Sequence, residues 1–178
     1  DLQNVQGLMS LRQKILEKLE QENQIELSGI EQIVVTAGSN MGFMNAVLAL
    51  TEPGDEIILQ TPYYFNHEMA IRIASCVPVC VETQNNYQLN LEAITAAITP
   101  KTKAIVTISP NNPTGAVYPA ATLKAVNQLC EDRGLVHISD EAYEYFVYDG
   151  VEHCSPAQFD RHSQQDRKST RLNSSHRT

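Results

Sequence analysis

Apolar residues recur at Leu8, Leu11, Ile15 and Leu19, in steps of three and four, with Arg12, Lys14, Glu17, Lys18 and Glu20 on the other faces. That spacing predicts an amphipathic helix over 8–24. Ser28-Gly29 interrupts it, and Ile33-Val34-Val35-Thr36 predicts a short buried strand, because β-branched side chains suit a pleated, covered surface. The alternation then repeats. Residues 41–50 predict a helix stopped by Pro53-Gly54, and 56–59 a strand stopped before Pro62. Residues 66–75 predict a helix, 77–81 a strand, 91–97 a short helix and 104–108 a strand. A further helix over 119–133 has proline at its start and Gly134 just past its end, the expected polarity of those two residues. Residues 136–139 predict another strand. Strands alternating with helices imply an α/β fold, a mostly parallel sheet with helices on both faces.

In such sheets ligands gather outside the carboxyl ends of the strands, and the less ordinary residues fall there. Ala37-Gly38-Ser39-Asn40 follows one strand, and Thr61-Pro62-Tyr63-Tyr64-Phe65 the next. Ser109 to Gly115, with Asn111-Asn112-Pro113-Thr114, follows a third, and Asp140-Glu141-Ala142-Tyr143 a fourth. Each has a plain reading. Ser39 and Asn40 suit a helix cap, the aromatic cluster suits a core, Asn-Pro-Thr-Gly suits a turn, and Asp140 suits a cap. Each also has a chemical one. Helix-start amides bind anions, an aromatic ring offers a stacking face, Asn112 offers amide donors, and Asp140 beside Tyr143 offers a carboxylate with a phenol. Together these suit a phosphorylated aromatic cation. Glycine spacing matches neither a dinucleotide fingerprint nor a phosphate-binding P-loop.

Charge changes the picture at one end. The net charge of the 178 residues is −8. Residues 161–178 hold Arg161, Arg167, Lys168, Arg171 and Arg177 against Asp166, leaving +4 there and −12 over 1–160. Beyond Phe159 only Leu172 is a large apolar residue, too little to offset ordering entropy. The expected organisation is one α/β domain over 1–160 and a disordered, non-native tail over 161–178. The acidic remainder argues against nucleic acid, and no apolar run approaches the length of a membrane span. The first residues show no secretory-signal pattern, and export is not expected. Cys76, Cys80, Cys130 and Cys154 read as reduced thiols of a cytoplasmic protein. Cys76 and Cys80 are expected on one face of a strand. No metal site is expected: the run Asp140, Glu141, Glu144 has no histidine at a ligand spacing, and His137 reads as a satisfied core residue.

The segments Val34-Val35-Thr36-Ala37-Gly38, Pro62-Tyr63-Tyr64, Ser109-Pro110-Asn111-Asn112-Pro113-Thr114-Gly115 and Ser139-Asp140-Glu141-Ala142-Tyr143, in this order, carry a resemblance. Over about residues 5–156 the chain resembles the large domain of the class I/II aminotransferases, pyridoxal-phosphate enzymes of fold type I; Gly7-Leu8 with Leu11-Arg12 is similar to their early helix. The resemblance implies cofactor-binding roles. Asp140 would pair with the ring nitrogen. Asn112 and Tyr143 would donate to the phenolate oxygen. Tyr64 would stack on the ring, and Gly38, Ser39 and Asn40 would hold the phosphate. It implies transfer of an amino group from an amino acid to a 2-oxo acid by a homodimeric full-length protein. The family's Schiff-base lysine has no counterpart here: Lys168 lacks the preceding strand. No catalytic residue is therefore assigned, and the chain by itself is expected to be inactive. Other fold type I enzymes, such as a carbon–sulfur lyase or a decarboxylase, and a non-catalytic aminotransferase-like sensing domain share the same cofactor shell.

Overall fold

The structure, a computed structural model, describes residues 5–159 and 169–172. Helix α1 spans Met9–Glu22, α2 Ser39–Leu50, α3 Phe65–Ile73, α4 Leu91–Ala96 and α5 Ala120–Arg133. Strands are β1 Glu56–Thr61, β2 Val77–Glu82, β3 Thr102–Ile108, β4 Val136–Asp140 and β5 Ser169–Leu172. The strands form one sheet in the order β2-β1-β3-β4-β5, and every neighbouring pair is parallel. The expected α/β architecture is therefore present.

Alternation along the strands sorts the core into two layers. Ile57 and Leu59 of β1, Ala104 and Val106 of β3, and Ile138 of β4 pack with Phe43 and Val47 of α2 and Ala70 and Ile71 of α3. The intervening Ile58 and Ile105 face Ile94 of α4 and Leu123, Val126 and Cys130 of α5. The layering follows from connectivity. From β1 the chain passes through α3 to β2 on one side; from β2 it returns through α4 to β3 on the other side of β1. Parallel crossovers share one hand, so reversing the direction of travel moves the helices to the opposite face. The reversal leaves a crevice between β1 and β3 at the carboxyl edge, where such sheets bind ligands.

Three expectations are corrected. Ile33 to Thr36 forms no ladder, although Ile33 is extended. Ile33 is buried and Val34 is 58% exposed. Its composition suits a strand, but in place of a ladder the Val35 N–H donates to the Gln6 carbonyl at 2.8 Å. Arg12, assigned to a polar face, is buried: its Nε donates to the Ile33 carbonyl at 2.8 Å, and its Nη2 donates to the Ile30 carbonyl. Within the tail expected to be disordered, residues 169–172 pair with β4 from His137↔Ser169 to Asp140↔Leu172. Strand pairing uses backbone groups and needs no apolar composition, and the edge of β4 presents a row of them. Residues 160–168 and 173–178, which hold the rest of that expectation and Lys168, lie outside the described residues.

Helix α5 ends on Gly134 at φ 65°, a left-handed position suited to glycine. Burial pushes the Cys130 thiol from its ordinary 9.0 up to about 12, and the Tyr118 phenol from 10.0 up to about 12. Both groups are neutral when protonated, so the folded chain keeps protons that the unfolded chain releases. Their contribution is intact below the unfolded values and is lost as pH rises toward the folded ones. Chemical denaturation followed by circular dichroism will show stability falling between about pH 9 and about pH 11. Cys130→Ala will flatten that fall; an unchanged slope refutes the assignment.

Candidate functional site

Seven residues singled out by the sequence, Gly38, Ser39, Asn40, Tyr64, Asn112, Asp140 and Tyr143, line a single cavity of about 290 Å³, completed by Ala37, Ile108 and Ala142. It opens at the carboxyl edge of β1, β3 and β4, over the crevice left by the reversal in strand order.

Helix α2 supplies one wall. Gly38 is its N-cap, at φ 85°, and no side chain caps the helix. A Cβ on Gly38 would meet nothing within 4 Å, so the positive φ, not crowding, calls for glycine there. The plain capping role available to Ser39 and Asn40 is not what they do in this structure. The first-turn N–H groups lack intrahelical acceptors, and the positive end of the helix dipole faces the cavity.

The Ser109–Gly115 loop is fastened from inside. Ser109 Oγ accepts from the Tyr118 N–H at 3.0 Å. Asn111 Oδ1 accepts from Thr114 N–H at 3.2 Å and Thr114 Oγ1 at 2.9 Å, and the Gly115 N–H donates to the Asn111 carbonyl at 2.8 Å. Asn111 therefore holds the turn, and its neighbour Asn112 is the one on the cavity wall.

Asp140 ends β4. Period-two alternation puts it on the face of Ile138, toward α3. There His67, 2% exposed, places Nε2 at 3.0 Å from Asp140 Oδ2, while Oδ1 accepts from the Ala142 N–H at 3.0 Å. An ionised carboxylate only accepts, so the imidazole presents its N–H at Nε2. His67 Nδ1 has no partner among the described residues. The His67 ring lies on Phe43, centroids 4.2 Å apart, and Tyr64 meets it edge-on at 5.7 Å. Tyr64 Oη accepts from Asn66 Nδ2 at 2.7 Å. Sequence reading missed His67. Its signal was faint: a histidine three positions after Tyr64, one turn into a helix.

Tyr143 is 39% exposed, and its ring meets Phe146 edge-on at 5.7 Å. The neighbouring acids point elsewhere. Glu141 is 2% exposed and accepts from Ser139 Oγ at 2.9 Å and Ser155 Oγ at 2.7 Å. His153 Nε2 lies 3.2 Å from its Oε2, so a histidine does partner this run, brought by the fold from twelve residues away. Glu141, Glu144 and His153 have ligand atoms within 4.8 Å of one another, but the Lys18 ammonium already meets both oxygens of Glu144, at 2.5 and 2.6 Å. His137 is satisfied in the core as expected: Nε2 shares a hydrogen bond with Thr107 Oγ1 at 2.8 Å, and Nδ1 one with Asn127 Oδ1 at 3.1 Å. Cys76 and Cys80 do not share a setting: Cys76 is buried against the Glu52 carbonyl, while Cys80 is exposed near the Tyr63 hydroxyl. No disulfide joins Cys76, Cys80, Cys130 or Cys154 among the described residues.

Known proteins resemble this chain in sequence and in fold. A family profile described as "Aminotransferase class I and II" matches residues 1–167. An Aquifex aeolicus protein named "Probable aspartate/prephenate aminotransferase" is 44% identical over 155 residues, 86% of this chain and 39% of that protein. The Arabidopsis thaliana aromatic aminotransferase ISS1 is 38% identical over 84% of this chain and 38% of its own length. Among solved structures, a tetra mutant of Thermus thermophilus aspartate aminotransferase superposes with a TM-score of 0.89 at 36% identity, covering 96% of this chain and 46% of that one. The chain thus spans about two fifths of the length of the curated relatives it matches. It belongs to the class I and II aminotransferase family.

Proposed function

We propose that this chain is the cofactor-holding part of a pyridoxal-phosphate-dependent aminotransferase, which moves an amino group from an amino acid to a 2-oxo acid. The observation that carries the reading is the single cavity shared by an uncapped helix N-terminus, an aromatic face, an amide, a phenol and a buried carboxylate. The class I and II family uses pyridoxal phosphate, and the donor set suits that group. The α2 amides at Gly38, Ser39 and Asn40 receive the phosphate. Tyr64 offers its ring to the ring face. Asn112 and Tyr143 donate to the phenolate oxygen. Asp140, held by His67 and the Ala142 N–H, faces the ring nitrogen and keeps it protonated. Bound there, the protonated ring supplies an electron sink for bonds at the amino carbon of the substrate.

Further parts of the reading concern the whole protein. The amino-acid and 2-oxo-acid substrates follow from the family. A homodimer and a cytoplasmic setting are proposed with it. Exposed apolar side chains on and beside α1 (Leu8, Met9, Leu11, Val5) suit burial against more protein, and cysteines outside any disulfide suit a reducing compartment. Among the described residues no helix is long and apolar enough to cross a membrane.

Among the described residues no lysine lines the cavity. The 178-residue chain will therefore bind pyridoxal phosphate without covalent attachment and show no transamination. Equilibrium dialysis will detect the bound cofactor, and borohydride treatment followed by peptide mass spectrometry will find no lysine carrying it. A borohydride-fixed lysine overturns the expected inactivity; failure to bind the cofactor overturns the site.

A further inference from the structure

Helix α1 lies outside the sheet, yet its polar side chains hold both walls of the cavity. Near its start, buried Arg12 grips the Ile30 and Ile33 carbonyls, and the chain runs from there directly into the Ala37–Asn40 wall. Just ahead of α1, the Gln6 carbonyl accepts from the Val35 N–H at 2.8 Å. Near its end, Lys18 Nζ donates to both oxygens of Glu144, and Asn23 Nδ2 donates to Oε2 at 2.9 Å. Glu144 directly follows Tyr143, and its N–H closes a turn onto the Glu141 carbonyl at 3.1 Å. None of Arg12, Lys18, Asn23 or Glu144 lines the cavity.

Side-chain packing holds Tyr143 weakly. It is 39% exposed, and its ring contact is with Phe146, which is 57% exposed. Its backbone is held by the Phe146 N–H, which donates to the Tyr143 carbonyl at 2.8 Å, and by the clamp on the next residue. The side chains of Lys18 and Glu144 are 17% and 5% exposed. A surface ion pair samples many geometries and contributes little. A buried carboxylate cannot part from its cation without a large desolvation cost, so this pair holds one geometry.

We propose that α1 braces the cavity from outside, with Lys18 and Glu144 as positioning residues that hold the Tyr143 phenol where the cofactor's phenolate oxygen lies. The inference rests on the reading of the cavity as a pyridoxal-phosphate site. It extends that reading to residues on a separate helix that touch neither cofactor nor substrate.

The test compares two probes on the 178-residue chain: pyridoxal 5′-phosphate and 3-deoxypyridoxal 5′-phosphate, which lacks the oxygen that Tyr143 would meet. The unmodified chain will prefer the first. Lys18→Met will reduce that preference by about tenfold, the scale of one hydrogen bond to a charged oxygen. Tyr143→Phe will reduce it comparably, and Lys18→Arg will restore it. Equal weakening of both probes in Lys18→Met marks a merely structural role and overturns the proposal. A second measurement needs no cofactor. Hydrogen exchange at the amides of residues 141–146 will quicken by about tenfold in Lys18→Met, while β3 keeps its protection. Unchanged exchange at 141–146 overturns the brace. If Lys18→Met also loses β3 protection, Glu144→Gln, which keeps the shape and the Asn23 contact, is read in the same way. If the unmodified chain binds neither probe, the cofactor reading falls, and the exchange measurement alone decides the brace.

Discussion

Asp140→Ala will weaken pyridoxal-phosphate binding by this chain about ten- to hundredfold, the scale of a hydrogen bond between charged groups. In a chain extended to the length of its relatives, it will lower transamination by about 10²–10³-fold or more, since a preorganised charge at the reacting system is removed. The argument starts at β4. Alternation turns Asp140 toward α3, and His67 and the Ala142 N–H each take one carboxylate oxygen at 3.0 Å. These two contacts fix the carboxylate's orientation at the cavity wall. The fold tolerates the loss because Asp140 stands on a cavity wall and not among the apolar side chains of the two layers. Asp140→Asn separates charge from shape. It keeps an acceptor for the Ala142 N–H and turns an amide NH2 toward His67, whose Nε2 accepts it once the ring proton sits on the unpartnered Nδ1; its melting temperature will stay close to that of the parent while cofactor binding falls as in alanine. Near-normal binding in both variants removes Asp140 from the role of ring-nitrogen partner.

Asp140 was legible in the sequence because it follows the short segment Val136-His137-Ile138-Ser139 that reads as a strand, and precedes a phenol. The same holds for Gly38, Tyr64 and Asn112. Each stands just after an apolar segment, and the parallel topology gathers such positions at one edge. The sequence was least informative where tertiary contacts override local pattern. Ile33-Val34-Val35-Thr36 has a strand's composition, yet it forms no strand ladder among the described residues. Arg12 sits on a helix whose other charges are mostly solvated, and only the fold brings the Ile30 and Ile33 carbonyls to its guanidinium. The Lys18–Glu144 clamp joins residues 126 positions apart, a separation that no periodicity reports. The tail misled in the opposite way. Its polar composition predicts disorder, but residues 169–172 pair through their backbone with β4.

Phe43→Ala will destabilise the chain by about 3–5 kcal/mol, the usual range for emptying a large aromatic site in a core. Phe43 is 1% exposed and belongs to the layer formed by α2, α3 and the sheet. Its neighbours there include Val47, Ile57, Ala70 and Ile71, which belong to three different elements and cannot all move in to fill the space. The damage reaches the site by a short route. The Phe43 ring supports the His67 imidazole at 4.2 Å, and that imidazole holds Asp140. Removing the ring leaves His67 with an unpaired Nδ1 on one side and an empty volume on another, so the imidazole gains room to turn away from the carboxylate. Urea denaturation will therefore show the loss of stability, and pyridoxal-phosphate affinity will fall even under conditions where the variant is fully folded. Val47→Ala provides the control. Val47 is 0% exposed and lies in the same layer, but no ring contact joins it to His67. It will lose stability with little change in affinity. If Val47→Ala weakens the cofactor as much as Phe43→Ala does, the affinity follows general stability, and the support of His67 by Phe43 has no separate role.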